Sequence, residues 1–327
     1  MRLFISNFKA FFIALSIIIL IECILFFCHR GVTDLHSNIL SFAFHDEATG
    51  QRILVNDKID KLGKIQTDFI QVGDSSGLFG VEPNIIMSHL KGLKYVSHSC
   101  CADTGWDGYL DIAKNILAQD KKAKYLVLHI TPYSFPLQYK EGFSNILYEA
   151  LASPWHYIYD FLPSMSFRSD VTNAVYYGKF QHKLLSEGEL SEKWKNKLVS
   201  TSGWVPIEGK DTTDRPRGDC DFPNFFDEQG KSTVYQKLRK FKKLSDAHHV
   251  KLILLFNPVS CHDSKKIAPI SADFKRFATR YPDVYIPFPL VTTYHVNYFH
   301  DRWHLNAKGA KIHSHEIGNA LVKLINA

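Results

Sequence analysis

The sequence lacks the spacings by which a protein gathers a metal. Its sixteen histidines and six cysteines contain no Cys-x-x-Cys and no His-Glu-x-x-His, so no zinc clip or metallopeptidase helix is written in it. No metal and no cofactor is expected. Charge of one sign is scarce as well. A formal excess of +6 over 327 residues, without a basic stripe, leaves no electrostatic footprint for nucleic acid. Disorder is excluded by 45% apolar against 22% charged residues, which is a globular composition. Processing signals are missing too. Cys23 and Cys28 follow Leu-Ile-Glu and Leu-Phe-Phe, without the small residues that lipoprotein maturation prefers, and no small-x-small cleavage site trails the first apolar run.

That run is Phe11 to Cys28, eighteen residues with one charge at Glu22. It just reaches the length that spans a hydrocarbon core. Arg2 and Lys9 precede it, whereas Arg30 and then Asp34, Asp46 and Glu47 follow, a slight bias toward a cytoplasmic N-terminus. Residues 1–30 therefore read as an uncleaved signal anchor, a single pass through the cytoplasmic membrane with an exported body. Glu22 either sits at the outer interface or faces a partner's transmembrane helices. In an exported body, Cys100, Cys101, Cys220 and Cys261 can form one or two disulfides; in a cytosolic one they stay thiols.

Residues 31–67 read as a linker with a short amphipathic element, and residues 68–327 as an α/β domain. Strands are expected at Phe69–Val72, Lys94–Ser99, Lys124–Thr131, Val250–Asn257 and Val284–Pro287, by apolar runs and β-branched content. Helices are expected at 81–90, 106–119, 233–248, 271–281 and 306–325, by apolar residues at helical spacing and a helix-start proline at Pro83. Five strands alternating with helices predict a doubly wound parallel sheet of the flavodoxin kind. Residues 133–230 interrupt the alternation as a large insertion. Its aromatics, among them Trp155, Tyr157, Tyr159, Trp194 and Trp204, either form a wall for sugar or acyl groups or are local core, the commoner fate.

Two stretches carry chemistry. Gly73-Asp74-Ser75-Ser76-Gly77 breaks the first strand at the carboxyl edge of the sheet, where open α/β sheets bind ligands. A serine on that turn is a candidate nucleophile, or else simply the cap of the next helix. Asp301-Arg-Trp-His304 precedes the last helix. On a helical turn, two residues three apart point the same way, so the carboxylate can fix one imidazole tautomer and leave the other nitrogen as a base. Otherwise Asp301 caps the helix and His304 is packed.

Together, Gly-Asp-Ser after the first strand and Asp-x-x-His before the last helix resemble the SGNH (GDSL-type) hydrolase superfamily, from about Asp68 to the C-terminus outside the insertion. The resemblance implies a three-layer α/β/α fold and a catalytic set of Ser75, His304 and Asp301, choosing Ser75 over Ser76. It implies an oxyanion hole from the N–H groups of Ser75 and Gly105, with Gly108 the second match. Asp74 and Thr131 are expected beside the substrate. Where the family has Gly-x-Asn-Asp after the third strand, this chain has His129-Ile-Thr-Pro-Tyr-Ser134, so the asparagine donor is absent. That departure, the anchor and the aromatic insertion are similar to the envelope branch. Its members acylate or deacylate exported polysaccharides, often beside a multi-spanning membrane-bound O-acyltransferase. The expected activity is ester hydrolysis or O-acyl transfer on an envelope polysaccharide. The alternatives are a non-catalytic scaffold or binding subunit of an envelope assembly and, more remotely, a cytosolic α/β enzyme.

Overall fold

Phe69–Gly73 (β1) lies inside the sheet, and every one of its residues is buried. It pairs in parallel with Tyr95–Ser97 (β2) on one side and Tyr125–Ile130 (β3) on the other. Lys251–Phe256 (β4) then pairs in parallel with β3. The four-stranded order is β2-β1-β3-β4, a mixed α/β arrangement with the doubly wound layout. This computed structural model describes residues 16, 17, 20, 58, 62–100, 102, 105–132, 196–205, 234–260, 264–301 and 303–326. The helices of the α/β domain among the described residues include Ser75–Gly80 (α1), Pro83–His89 (α2), Gly105–Gln119 (α3), Val234–Ala247 (α4), Ser264–Arg280 (α5) and Ala307–Ile325 (α6).

Continuous apolar strands demand cover on both faces. On one face Phe69, Val127, Ile253 and Leu255 join Ile86 of α2 and Ile317, Leu321 and Leu324 of α6 in one core cluster. The alternate positions Ile70, Val72, Leu126, Leu128, Leu252 and Leu254 are buried as well. Here α3 packs on β1, α4 on β4, and α4 against both α3 and α5. Because all strands run parallel, their carboxyl ends share one edge. Asp74, Thr131 and Asn257 each follow a strand directly and stand along it.

The expected fifth strand is absent among the described residues. At its place stands a single parallel bridge, Ile253 to Tyr285, closed by Tyr285 N–H to Leu252 O and Leu254 N–H to Tyr285 O, both 3.0 Å. Pro287 has no N–H to extend the ladder, which stops pairing there. Helix α5 starts earlier than its apolar spacing suggested, at Ser264. Lys58 and Leu62, in the expected linker, are buried, and Lys58 Nζ donates to Ser97 O (3.1 Å) and Ser99 O (2.6 Å). Burial holds that ammonium well below its usual pKa.

The chain divides into two compact units, 1–53 with 152–195 and 54–151 with 196–327. The sheet belongs to the second. In the first, only Ser16, Ile17 and Leu20 are described, as helical and exposed. The expected anchor otherwise lies outside the described residues, as do Trp155, Tyr157, Tyr159 and Trp194. Among the described residues, no helix is long and apolar enough to cross a membrane.

Gly73 ends β1 with φ +148°. A Cβ there would stand 1.7 Å from His129 O, across the β1–β3 ladder. Only glycine fits both the angle and the approach. Gly73→Ala is expected to cost about 3 kcal/mol or more, read as a lower denaturation midpoint in urea. An unchanged midpoint would contradict this packing.

Candidate active site

Asp74 is the N-cap of α1, in extended conformation at φ −82° and ψ −174°. Its carboxylate is fully buried and turned inward. Oδ1 accepts from Ser76 N–H at 3.0 Å and from the Ser76 hydroxyl, and Oδ2 accepts from Thr131 N–H at 2.8 Å. The cap thus ties the turn to the end of β3 and leaves Ser75, half-buried, as the first residue of the helix. Asp74, expected beside the substrate, is occupied by the turn itself. Thr131 contributes its backbone to that bond, and its hydroxyl is buried without a hydrogen-bond partner among the described residues.

The second stretch arrives by a different local structure from the one its spacing suggested. Asp301 and His304 do not lie on a helical turn. They sit in a tight loop closed by an antiparallel bridge between Phe299 and Leu305 and by His300 N–H to His304 O at 2.8 Å. Asp301 Oδ1 accepts from the N–H groups of Trp303 (2.7 Å) and His304 (2.8 Å), shaping the loop from inside. Its Oδ2 faces His304 Nδ1 at 2.8 Å. Burial works against the Asp301 carboxylate, but the bonds from His304 and the two N–H groups outweigh it, and its pKa falls below the ordinary 3.8. Asn306 then caps α6, accepting from Gly309 N–H at 3.0 Å.

The two stretches meet. His304 Nε2 lies 2.8 Å from Ser75 Oγ. With Nδ1–H donated to Asp301, Nε2 is the bare nitrogen and accepts the serine proton. A nucleophile, a base within hydrogen-bond reach and an orienting carboxylate stand in line, which is the arrangement that activates a hydroxyl. The His304 ring is packed edge-on against Phe79 of α1, with centroids 5.1 Å apart at 84°.

Gly105 is buried at the first position of α3, with φ +63°. The segment leading toward it is stitched to β1, His98 N–H to Gln71 O at 2.7 Å and Cys100 N–H to Gly73 O at 3.1 Å. It therefore follows the same sheet edge as Ser75. Gly108 is buried inside α3. Cys100 is disulfide-bonded, its partner lying outside the described residues.

Of three supporting residues, Asn257 and Phe79 have no role among the sequence expectations, and Trp204 has only the choice between aromatic wall and local core. Asn257 Nδ2 donates to Trp303 O at 3.2 Å, tethering the histidine loop to the end of β4. Phe79 buttresses His304. Trp204 belongs to the part of the insertion that packs on α1: its Nε1–H donates to Phe79 O at 2.8 Å, and Val205 N–H to Leu78 O at 3.2 Å. Asn257 shared the one legible signal, a polar residue directly after a buried strand. Phe79 is visible only in space, and so is the contact by which Trp204 reaches it. Among the described residues no three His, Cys, Asp or Glu side chains converge as a metal site requires; His89 Nε2 and His315 Nδ1 meet at 2.9 Å as a pair only. No protein-family model matches the chain, and no curated protein matches its sequence.

Proposed function

We infer that the chain is a serine esterase or O-acyltransferase of the SGNH type, acting on acyl esters, acetyl above all, of an exported envelope polysaccharide. The observation that carries this reading is the Ser75–His304–Asp301 line, with 2.8 Å at each junction. His304 takes the proton of Ser75, and Oγ attacks the acyl carbonyl carbon. The N–H groups of Ser75 and Gly105 receive the oxyanion. Collapse expels the sugar alkoxide, which takes the proton from His304 and leaves an acyl-enzyme. Water as the next acceptor completes an esterase cycle; a sugar hydroxyl completes a transferase cycle.

The anchor at 11–28 sets this chemistry at the outer face of the membrane, where a multi-spanning O-acyltransferase is the fitting acyl supplier. The Cys100 disulfide supports an oxidising compartment. A scaffold role would not require the Ser75 hydroxyl to face a bare imidazole nitrogen, and the contact with His304 favours catalysis. The test uses the full chain in detergent with a serine-directed phosphonate and a small acetyl ester. Covalent label on the peptide holding Ser75, together with ester hydrolysis, is the expected result. A chain that takes no label on that peptide would remove the reading.

A further inference from the structure

The nucleophile turn stands on a buried polar floor set into largely apolar strands. On one flank Gln71 Nε2 donates to Gly77 O at 3.1 Å, and Gln71 Oε1 accepts from Tyr95 O–H at 2.6 Å. On the other flank stands a longer series. Ser76, next to Ser75, donates its hydroxyl proton to Asp74 Oδ1. His129 Nδ1 is 3.4 Å from that hydroxyl oxygen, and His129 Nε2 faces His313 Nε2 at 3.1 Å. Asp74, Ser76, His129 and His313 are all buried.

The proton positions follow from counting. A hydroxyl has one proton, and Asp74 takes it. The Ser76 oxygen is therefore an acceptor toward His129, so His129 Nδ1 carries the proton. A neutral imidazole protonated there has a bare Nε2, and His313 must then present Nε2–H. His313 Nδ1 is left bare, and it is the nitrogen without a hydrogen-bond partner. That is the less costly orphan, because buried N–H groups without acceptors are the rarer defect. Burial keeps both rings neutral, taking His313 down to about 3 and His129 well below its usual 6.5. An apolar side chain at His129, within Tyr-Leu-Val-Leu-His-Ile, would avoid the desolvation that a buried imidazole suffers. Stability alone does not call for this pair.

We propose that His313, His129 and Ser76 form a one-way chain of donors ending on Asp74, and that His129 and His313 are positioning residues for the Ser75 hydroxyl. The chain rests on the reading of Ser75 as nucleophile. It acts through the cap: each donor holds the next acceptor in place, and Asp74 fixes the start of α1 against Thr131 N–H. The Ser75 hydroxyl then meets His304 without a search over turn conformations, which is the kind of alignment on which attack rates depend.

Two measurements on the full chain test this. Nitrogen-15 shifts of the imidazoles should find His129 protonated at Nδ1 and His313 at Nε2; the opposite tautomers overturn the chain whatever the activity. Phosphonate labelling of Ser75 should slow by about tenfold or more in His129→Leu. It should recover most of its rate in His129→Asn, whose amide nitrogen stands near the Nδ1 position. Wild type that labels alongside an equally fast His129→Leu overturns the positioning role alone. Wild type that takes no label overturns the nucleophile reading and this role together. If His129→Leu does not fold, the tautomers and the His129→Asn rate decide: inverted tautomers, or an Asn variant slowed tenfold, overturn the proposal.

Discussion

Replacing Ser75 or His304 with alanine is expected to lower hydrolysis of a small acetyl ester by about 10³- to 10⁴-fold. The size comes from two opposing effects. Removing the nucleophile or base of a complete serine triad costs on the order of 10⁶-fold. This chain lacks the asparagine donor after β3, and one missing oxyanion donor costs about 10²- to 10³-fold. The wild type starts that much lower, so the fall to the residual rate is shorter. The double variant should be no worse than either single one, because nucleophile and base act as a unit. Folding should be nearly untouched: both residues are half-buried, and the cap of α1 belongs to Asp74. Melting temperatures close to wild type with activity gone is the expected pair of observations. Wild-type hydrolysis in Ser75→Ala, or in His304→Ala, would dispose of the mechanism.

The three side chains that meet are legible in the sequence; most of what holds them in place is not. Ser75 was legible because its strand and turn are contiguous, and a parallel strand always delivers its next residue to the same edge. Asp301 and His304 are legible as a spacing, but that spacing predicts a helical turn. In the structure the N–H groups of Trp303 and His304 converge on Asp301 Oδ1, and a loop closed by Phe299 and Leu305 achieves the same juxtaposition. Three β-prone residues, Val284, Tyr285 and Ile286, predict a fifth strand, but a ladder needs successive N–H groups and Pro287 has none. The contacts between distant parts of the chain are illegible for another reason. His129 and His313 are 184 residues apart, and Trp204 reaches Phe79 O across 125. No local pattern encodes such pairs; His129 read only as one polar residue in an apolar strand.

Asp301→Asn is the sharper test of how His304 is made a base. The amide oxygen can still accept from the N–H groups of Trp303 and His304, so the loop should keep its shape. The amide nitrogen, however, would face His304 Nδ1 as a donor where the carboxylate had accepted. Nδ1 must then be bare and Nε2 protonated, and a protonated Nε2 cannot take the Ser75 proton. The expected loss is about 10²-fold in kcat, less than for His304→Ala because the ring remains, as carboxylate removal is the mildest of the triad knockouts. KM should hold, since Asp301 reaches the substrate only through His304. A nitrogen-15 spectrum with His304 protonated at Nε2 would tie the loss to the tautomer. Stability carries an independent sign. A carboxyl whose folded pKa lies below its ordinary 3.8 contributes stability that is fully present above that value and is lost as pH falls through the folded one. The wild type should therefore exceed Asp301→Asn in denaturation midpoint at neutral pH and down to about pH 4, with the gap closing at lower pH. Full activity in Asp301→Asn, or a gap that persists unchanged into strong acid, would remove Asp301 from the triad.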